Sequence, residues 1–195
     1  CSGCVACSRG LVMGKGMICS RQDDFKAFYE KVVEADGVLF VDPIFESGAT
    51  GLYHSITDRM GPGHDTGMMK MLDGKLKEAG KEGLNPRYFR QKALSFVGIG
   101  GSDWAVRCET DHAMFALSPG WKVVNNEFFS WCKDVIMQDD KVERMKEIGR
   151  NLADAAQQII DEDMQIEGSE KTSLWKGKEG AARIARVITS TSTRV

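Results

Sequence analysis

"EADGVLFVDPIFESG", residues 34–48, decides the fold. Val38, Leu39, Phe40 and Val41 follow one another with no polar residue between them. A strand of that kind has no wet face, so it is expected in a parallel sheet covered on both sides. Gly37 stops the helix before it, and Pro43 ends the strand. That preceding helix carries Phe25, Phe28, Tyr29, Val32 and Val33 on one stripe. Asp23 suits its start, where a carboxylate meets free N–H groups and the positive end of the dipole. Behind the strand lies a loop. Ser47 is placed to cap a second helix with apolar positions Leu52, Tyr53, Ile56 and Met60.

The alternation then recurs. "GPGHDTG" breaks the second helix, and a short helix is expected within residues 68–84. "ALSFVGIGGSDW", residues 93–104, reads as a second buried strand over 93–99 that runs into Gly100, Gly101, Ser102 and Asp103. A helix over 104–117 returns the chain by a right-handed crossover. "WKVVN" is a third strand, and residues 126–138 form a long connection. Asp139 and Asp140 open the last helix, with Val142, Met145, Ile148, Leu152, Ala156 and Ile159 on one face. Strand alternating with helix three times gives an α/β layer fold with a parallel sheet. Residues 1–160 form one domain on this reading, and 161–195 a tail outside the core. The glycine-bearing stretch 8–18 reads as a loop.

Bulk properties narrow the function classes. The 195 residues include 26 basic and 28 acidic ones, for a net charge of −2. No strong field points to nucleic acid or to an anionic membrane. No apolar run is long enough to span a bilayer. Six cysteines, four of them in the first nineteen residues, are clustered at one end rather than distributed as disulfide staples. A reducing, cytoplasmic setting with thiols free for metal is the better reading.

Two features carry chemistry. Ligands of doubly wound sheets bind beyond the carboxyl ends of the strands. The loops there are Pro43, Ile44, Phe45, Glu46, Ser47 and Gly48 after the first strand, and Gly100, Gly101, Ser102 and Asp103 after the second. Phe45 offers a flat apolar face, and the two glycines let backbone N–H groups approach a ligand. A planar heterocycle with hydrogen-bonding edges suits this pair, and ordinary strand-to-helix turns are the alternative. The second feature is "CSGCVAC". Cys1, Cys4 and Cys7 sit on a short loop, with Cys19 on a longer arm. A [4Fe–4S] cluster uses this arrangement. Zinc prefers two separate pairs, and an empty, degenerate site is the third possibility. His54, His64 and His112 have no mutual ligand spacing, and Cys108 and Cys132 read as core or helix-face thiols.

The order of these pieces resembles the iron–sulfur flavoproteins of anaerobes, within the wider NADPH-dependent FMN reductase group of flavodoxin-like proteins. The compact cysteine run, Asp23-Asp24, Ala35-Asp36-Gly37, Pro43-Ile44-Phe45, Ser47-Gly48 and Asp58-Arg59 come in the family's order, and "GIGGS" fits its second flavin loop. The resemblance covers residues 1–160. It implies a flavodoxin-like three-layer sandwich that binds FMN at both loops and a [4Fe–4S] cluster at Cys1, Cys4, Cys7 and Cys19. Electrons would pass between a donor such as NAD(P)H or ferredoxin and an acceptor, in a homo-oligomer, with no catalytic acid–base residue. A cluster-free NAD(P)H-dependent FMN or quinone reductase is one alternative. A non-enzymatic metal-binding or scaffold protein is the other.

The chain departs from the pattern at Phe45, where tyrosine is usual, and at His54, where lysine is frequent. Cys19 lies further from the other cysteines than usual. Relatives also begin with a strand, a phosphate-holding loop and a helix before their cysteines. The sequence starting at Cys1 is therefore expected to be N-terminally truncated, with the first βα unit missing. Its ending, after "SLWKGKEG", is expected to be frameshifted relative to a tryptophan- and cysteine-containing segment.

Overall fold

One parallel sheet organises the chain, with β1 Gly37–Pro43, β2 Ala93–Ile99 and β3 Lys122–Phe129 in the order β1–β2–β3. The computed structural model describes residues 1–13, 19–61, 65–101, 106–117, 119–130 and 138–166. Among the described residues six α-helices accompany the strands: α1 Ala6–Val12, α2 Phe25–Glu34, α3 Gly51–Met60, α4 Thr66–Glu78, α5 Val106–Leu117 and α6 Asp139–Ile166. The layers are those of a flavodoxin-like α/β sandwich. No helix among the described residues is long and apolar enough to cross a membrane.

Register decides which side chains share a face. Phe40 pairs with Phe96 and Asp42 with Gly98, while Phe96 pairs with Asn126 beyond an irregularity at Leu94/Ser95. Successive residues point to opposite faces. Phe40 and Phe96 therefore stack on one side, with ring centroids 5.4 Å apart. That side is closed by Tyr29, Val32 and Val33 of α2, Tyr53 and Met60 of α3, and Ala116 of α5. The opposite side carries Ala93 and Val97, packed on Ile148, Ala155 and Ile159 of α6. A separate small core forms where Met69, Leu72 and Leu76 of α4 meet Leu84 and Phe89.

The strand-entry motif has a physical basis. Asp36 accepts hydrogen bonds from Arg87 at 2.6 Å and pairs with Arg90 at 3.3 Å, while its carbonyl accepts the Ala93 N–H. A Cβ on Gly37 would lie 3.4 Å from Leu152, so α6 crosses directly over this end of β1. Arg59 accounts for the Asp-Arg pair. It donates to both oxygens of Asp23 at 2.7 and 2.9 Å and to Cys19 Sγ at 3.3 Å, and lies 4.2 Å over the Phe25 ring.

Several sequence expectations need correction. The stretch 8–18 is not wholly a loop, because α1 extends to Val12; residues 14–18 lie outside the described residues. Ser47 does not cap α3. Thr50 does, its hydroxyl accepting from Tyr53 N–H at 3.2 Å. Asp24 holds the N-cap position of α2 without a side-chain cap, and the Asp23 carboxylate, as expected, accepts a free N–H at the helix start, that of Phe25 at 3.2 Å. The third strand continues past Asn125 to Phe129. β1 is not covered on both faces: Leu39 is 38% and Val41 48% exposed. α6 passes over Gly37 and leaves those two residues uncovered, and no strand among the described residues pairs with the outer edge of β1.

Lys92 joins the two halves of this core. It is buried, and its ammonium donates to the carbonyls of Val33, at 2.7 Å, and Ala35, at the end of α2. A cation there complements the negative end of the helix dipole. Burial nevertheless pushes the amine down from 10.5 to about 8. Between those values the unfolded chain holds a proton that the folded chain has released, so stability rises with pH in that window. Lys92→Met should remove a contribution of up to about 1.4 kcal/mol per pH unit. Urea unfolding of both proteins across the window gives the difference in slope. Identical slopes would show that Lys92 stays charged in the fold.

Candidate functional site

The loop after β1 is a strained, strapped turn. Phe45 and Gly48 exchange backbone hydrogen bonds of 3.4 and 3.1 Å, and the two residues between them have positive φ, 49° at Glu46 and 65° at Ser47. That is the left-handed region, which costs non-glycine residues on the order of 1–3 kcal/mol each and persists only where surroundings enforce it. The surroundings are visible. Ile44 N–H donates to Ile99 O, and Cys108 N–H at the start of α5 donates to Ser47 O at 2.9 Å. The Asp42 carboxylate accepts from Thr50 N–H at 2.9 Å and from its hydroxyl at 2.6 Å, closing the loop at its base. Gly48 leaves room for Arg107, since a Cβ there would lie 3.2 Å from its Nε and the guanidinium would have to shift by a few tenths of an ångström.

Of the residues read as ligand-facing, Pro43, Ile44, Phe45, Glu46, Ser47 and Gly48 come together with Gly100 and Gly101 at the carboxyl ends of β1 and β2. Ser102 and Asp103 lie outside the described residues. Phe45 is 69% exposed, so its ring is open to a partner. The two glycines play different parts. A Cβ on Gly100 would meet Phe128 at 3.2 Å and Ile44 at 3.4 Å, so this glycine serves the packing of the sheet end. Among the described residues nothing lies within 4 Å of a Cβ built on Gly101, which is exposed. Among the described residues no hydrogen bond uses the N–H of Glu46 or Ser47. The turn thus offers an open aromatic face and free backbone donors on a rigid frame. These features fit a planar heterocycle with carbonyl and ring-nitrogen acceptors, such as an isoalloxazine.

Behind the turn lies a buried polar group that sequence reading did not assemble. Asp42, Cys108 and His112 place one ligand atom each within 4.8 Å of one another. Cys108 Sγ is 3.6 Å from His112 Nε2. The imidazole stacks on Phe96 at 4.5 Å, and Tyr53 meets it edge-on. Burial pushes the Cys108 thiol up to about 12, with Asp42 adding to the shift. Burial pushes His112 down, so it is neutral. The available signal was the i, i+4 spacing of Cys108 and His112, which places both on one helix face.

The N-terminal cysteines are differently arranged. Cys1, Cys4, Cys7 and Cys19 are all free, the first two exposed and the last two half-buried, and the cluster of three ligand atoms found among the described residues, Asp42 with Cys108 and His112, does not include them. Cys4 Sγ lies 3.5 Å from Ser20 Oγ, and that hydroxyl, more than the Ala6 N–H, pulls the exposed thiol down to about 7.

Comparison with known proteins agrees with this architecture. A family model described as NADPH-dependent FMN reductase matches residues 7–135. Among solved structures, a flavone reductase is 44% identical, with a TM-score of 0.68, over 73% of this chain and 49% of its own. This chain therefore spans about half the length of that protein. An NADH:FMN oxidoreductase is 17% identical, with a TM-score of 0.42, over 78% of this chain and 64% of its own. No curated protein matches. With a parallel sheet, a strapped turn at its carboxyl edge and a family match over residues 7–135, the chain belongs to the NADPH-dependent FMN reductase family.

Proposed function

We propose that the protein is an FMN-dependent NAD(P)H oxidoreductase. Its flavin ring would lie against the Phe45–Gly48 turn and the backbone at Gly101. The observation that carries this reading is the turn itself: an exposed aromatic and two unused N–H groups, held in strained conformations where sheets of this class bind ligands. FMN, when bound, supplies hydride and electron acceptance. The chain's own residues bind and orient. Phe45 covers a ring face, and the N–H groups of Glu46 and Ser47 are donors for ring acceptors. The bond from Cys108 N–H to Ser47 O and the Asp42–Thr50 clamp keep that frame from relaxing. Pre-organised donors need no reorientation as charge develops on the ring. The name of the flavone reductase points to an acceptor class, a planar aromatic compound with a conjugated carbonyl.

A second reading adds a [4Fe–4S] cluster at Cys1, Cys4, Cys7 and Cys19, with ferredoxin as a further possible donor. Four free thiols at one end of the chain favour it. The flavin reading does not depend on it.

Two experiments test these readings. The full chain should oxidise NADPH only when FMN is present. Phe45→Ala should weaken FMN binding about tenfold, because an aromatic contact is worth up to about 1.5 kcal/mol beyond its buried area. FMN fluorescence quenching reads the affinity. Wild-type protein that neither quenches FMN nor oxidises NADPH with it would overturn the assignment. An unchanged affinity in the variant would remove Phe45 from the site. For the cluster, anaerobically purified protein should contain about four irons and four sulfides per chain, and Cys4→Ser should lose them with an unchanged circular dichroism spectrum. Iron-free wild type would eliminate the cluster and leave the flavin enzyme.

A further inference from the structure

We infer that Asp42, Cys108 and His112 form a binding site for a borderline-soft divalent cation of the zinc class, beneath the turn and separate from the N-terminal cysteines. The three residues are 6%, 0% and 0% exposed, and their ligand atoms lie within 4.8 Å of one another. The ligand types are right: thiolate sulfur, imidazole nitrogen and carboxylate oxygen are the set that zinc accepts. The spacing is right as well. With metal–sulfur and metal–nitrogen bonds of about 2.3 and 2.0–2.1 Å, a tetrahedral ion separates these two ligands by about 3.6 Å. Cys108 Sγ and His112 Nε2 are 3.6 Å apart.

The charge balance supplies an independent reason. Buried charges are normally paired or bound to metals. Asp42 has no ion pair among the described residues; only the Thr50 N–H and hydroxyl contact its carboxylate. Those two bonds leave lone pairs on both oxygens. The other acids acting on Cys108 are Glu109 and Asp111 of α5; the nearby cationic groups are Arg107, whose guanidinium lies against Gly48, and His54, which faces Asp111 at 3.6 Å. Gly98, the register partner of Asp42, has no side chain to separate the carboxylate from Cys108. A further donor is at hand. The Asn126 side chain interacts with the His112 ring and its Nδ2 donates to Glu109 O at 2.9 Å, while among the described residues no donor lies within hydrogen-bond distance of its buried Oδ1. Binding would convert the Cys108 thiol to thiolate and release its proton to solvent, as metal binding to cysteine does.

The site shares Asp42 and Cys108 with the frame of the turn, but the metal titration needs no flavin, so the two readings fail separately. The test uses the full chain with Cys1, Cys4, Cys7, Cys19 and Cys132 replaced by serine, which leaves Cys108 as its one thiol. Titration with Co²⁺ should give one equivalent bound and a near-ultraviolet sulfur-to-cobalt charge-transfer band, and Zn²⁺ should displace it. Adding Cys108→Ser should abolish the band. His112→Gln should weaken zinc binding at least about tenfold. Should the five-serine protein lack the native circular dichroism spectrum, the titration is made on wild type alkylated in its native state, where burial spares Cys108. A folded protein that binds cobalt without the band, or binds none, overturns the proposal. So does a Cys108→Ser variant that keeps the band.

Discussion

The carboxylate of Asp42 holds the functional end of the molecule together. It stands at the end of β1 and accepts two hydrogen bonds from Thr50, and Thr50 in turn caps α3. One charged group therefore sets both the exit of a strand and the entry of a helix. Hydrogen bonds to a charged group are worth about 1.5–3 kcal/mol each. Two left-handed residues, Glu46 and Ser47, cost a comparable amount. The clamp offsets the strain, and the bond from Cys108 N–H to Ser47 O fixes where the strained residues sit. Without the clamp the loop would relax to an ordinary turn and withdraw its free N–H groups. Carrying a buried anion is the cost of that rigidity, and the same anion draws Cys108 and His112 into one polar cluster.

Arg59 has the corresponding role at the far end of α3. Its guanidinium spans Asp23, Cys19 and the face of Phe25, so the segment that follows the cysteines is bound to the same helix. Asp23 is held below the usual carboxylate range chiefly by its hydrogen bond to Arg59. Lysine could not replace arginine here, because a point charge has neither the fork for two carboxylate oxygens nor the plane for a ring.

The sheet was legible in the sequence because its strands are uninterrupted apolar runs. The bounds of β2, 93–99, follow from polar Lys92 on one side and Gly100 on the other. The α6 face was legible for the same reason, with Ile148 and Ile159 buried at helical spacing. What failed was whatever depended on long-range geometry. Leu39 and Val41 are as apolar as their neighbours, yet only the path of α6 over Gly37 determines that they are uncovered. Ser47 and Thr50 are equally good caps by residue type. The choice falls on Thr50 because Asp42 holds it and because Ser47 is in a left-handed turn. Cys108 and His112 looked like solitary core residues, since their acidic partner is on a different strand. The expectation that both glycines bring free N–H groups to a ligand fails at Gly100, whose N–H donates to Phe129 O at 3.0 Å and whose open side is filled by Phe128 and Ile44, whereas among the described residues nothing fills the space at Gly101.

The length of α3 bears on how flavin and cysteine chemistry relate. Its ten residues run from Gly51, just after the strapped turn, to Met60, beside Arg59, so they separate the two regions by roughly 15 Å at 1.5 Å per residue. Asp42, Thr50, Ser47 and Cys108 fix the turn at one end of that helix. Arg59 holds Cys19 at the other. In this arrangement α3 is the mechanical link between the two regions: its Tyr53 and Met60 belong to the core against which Cys7 and Cys19 also pack.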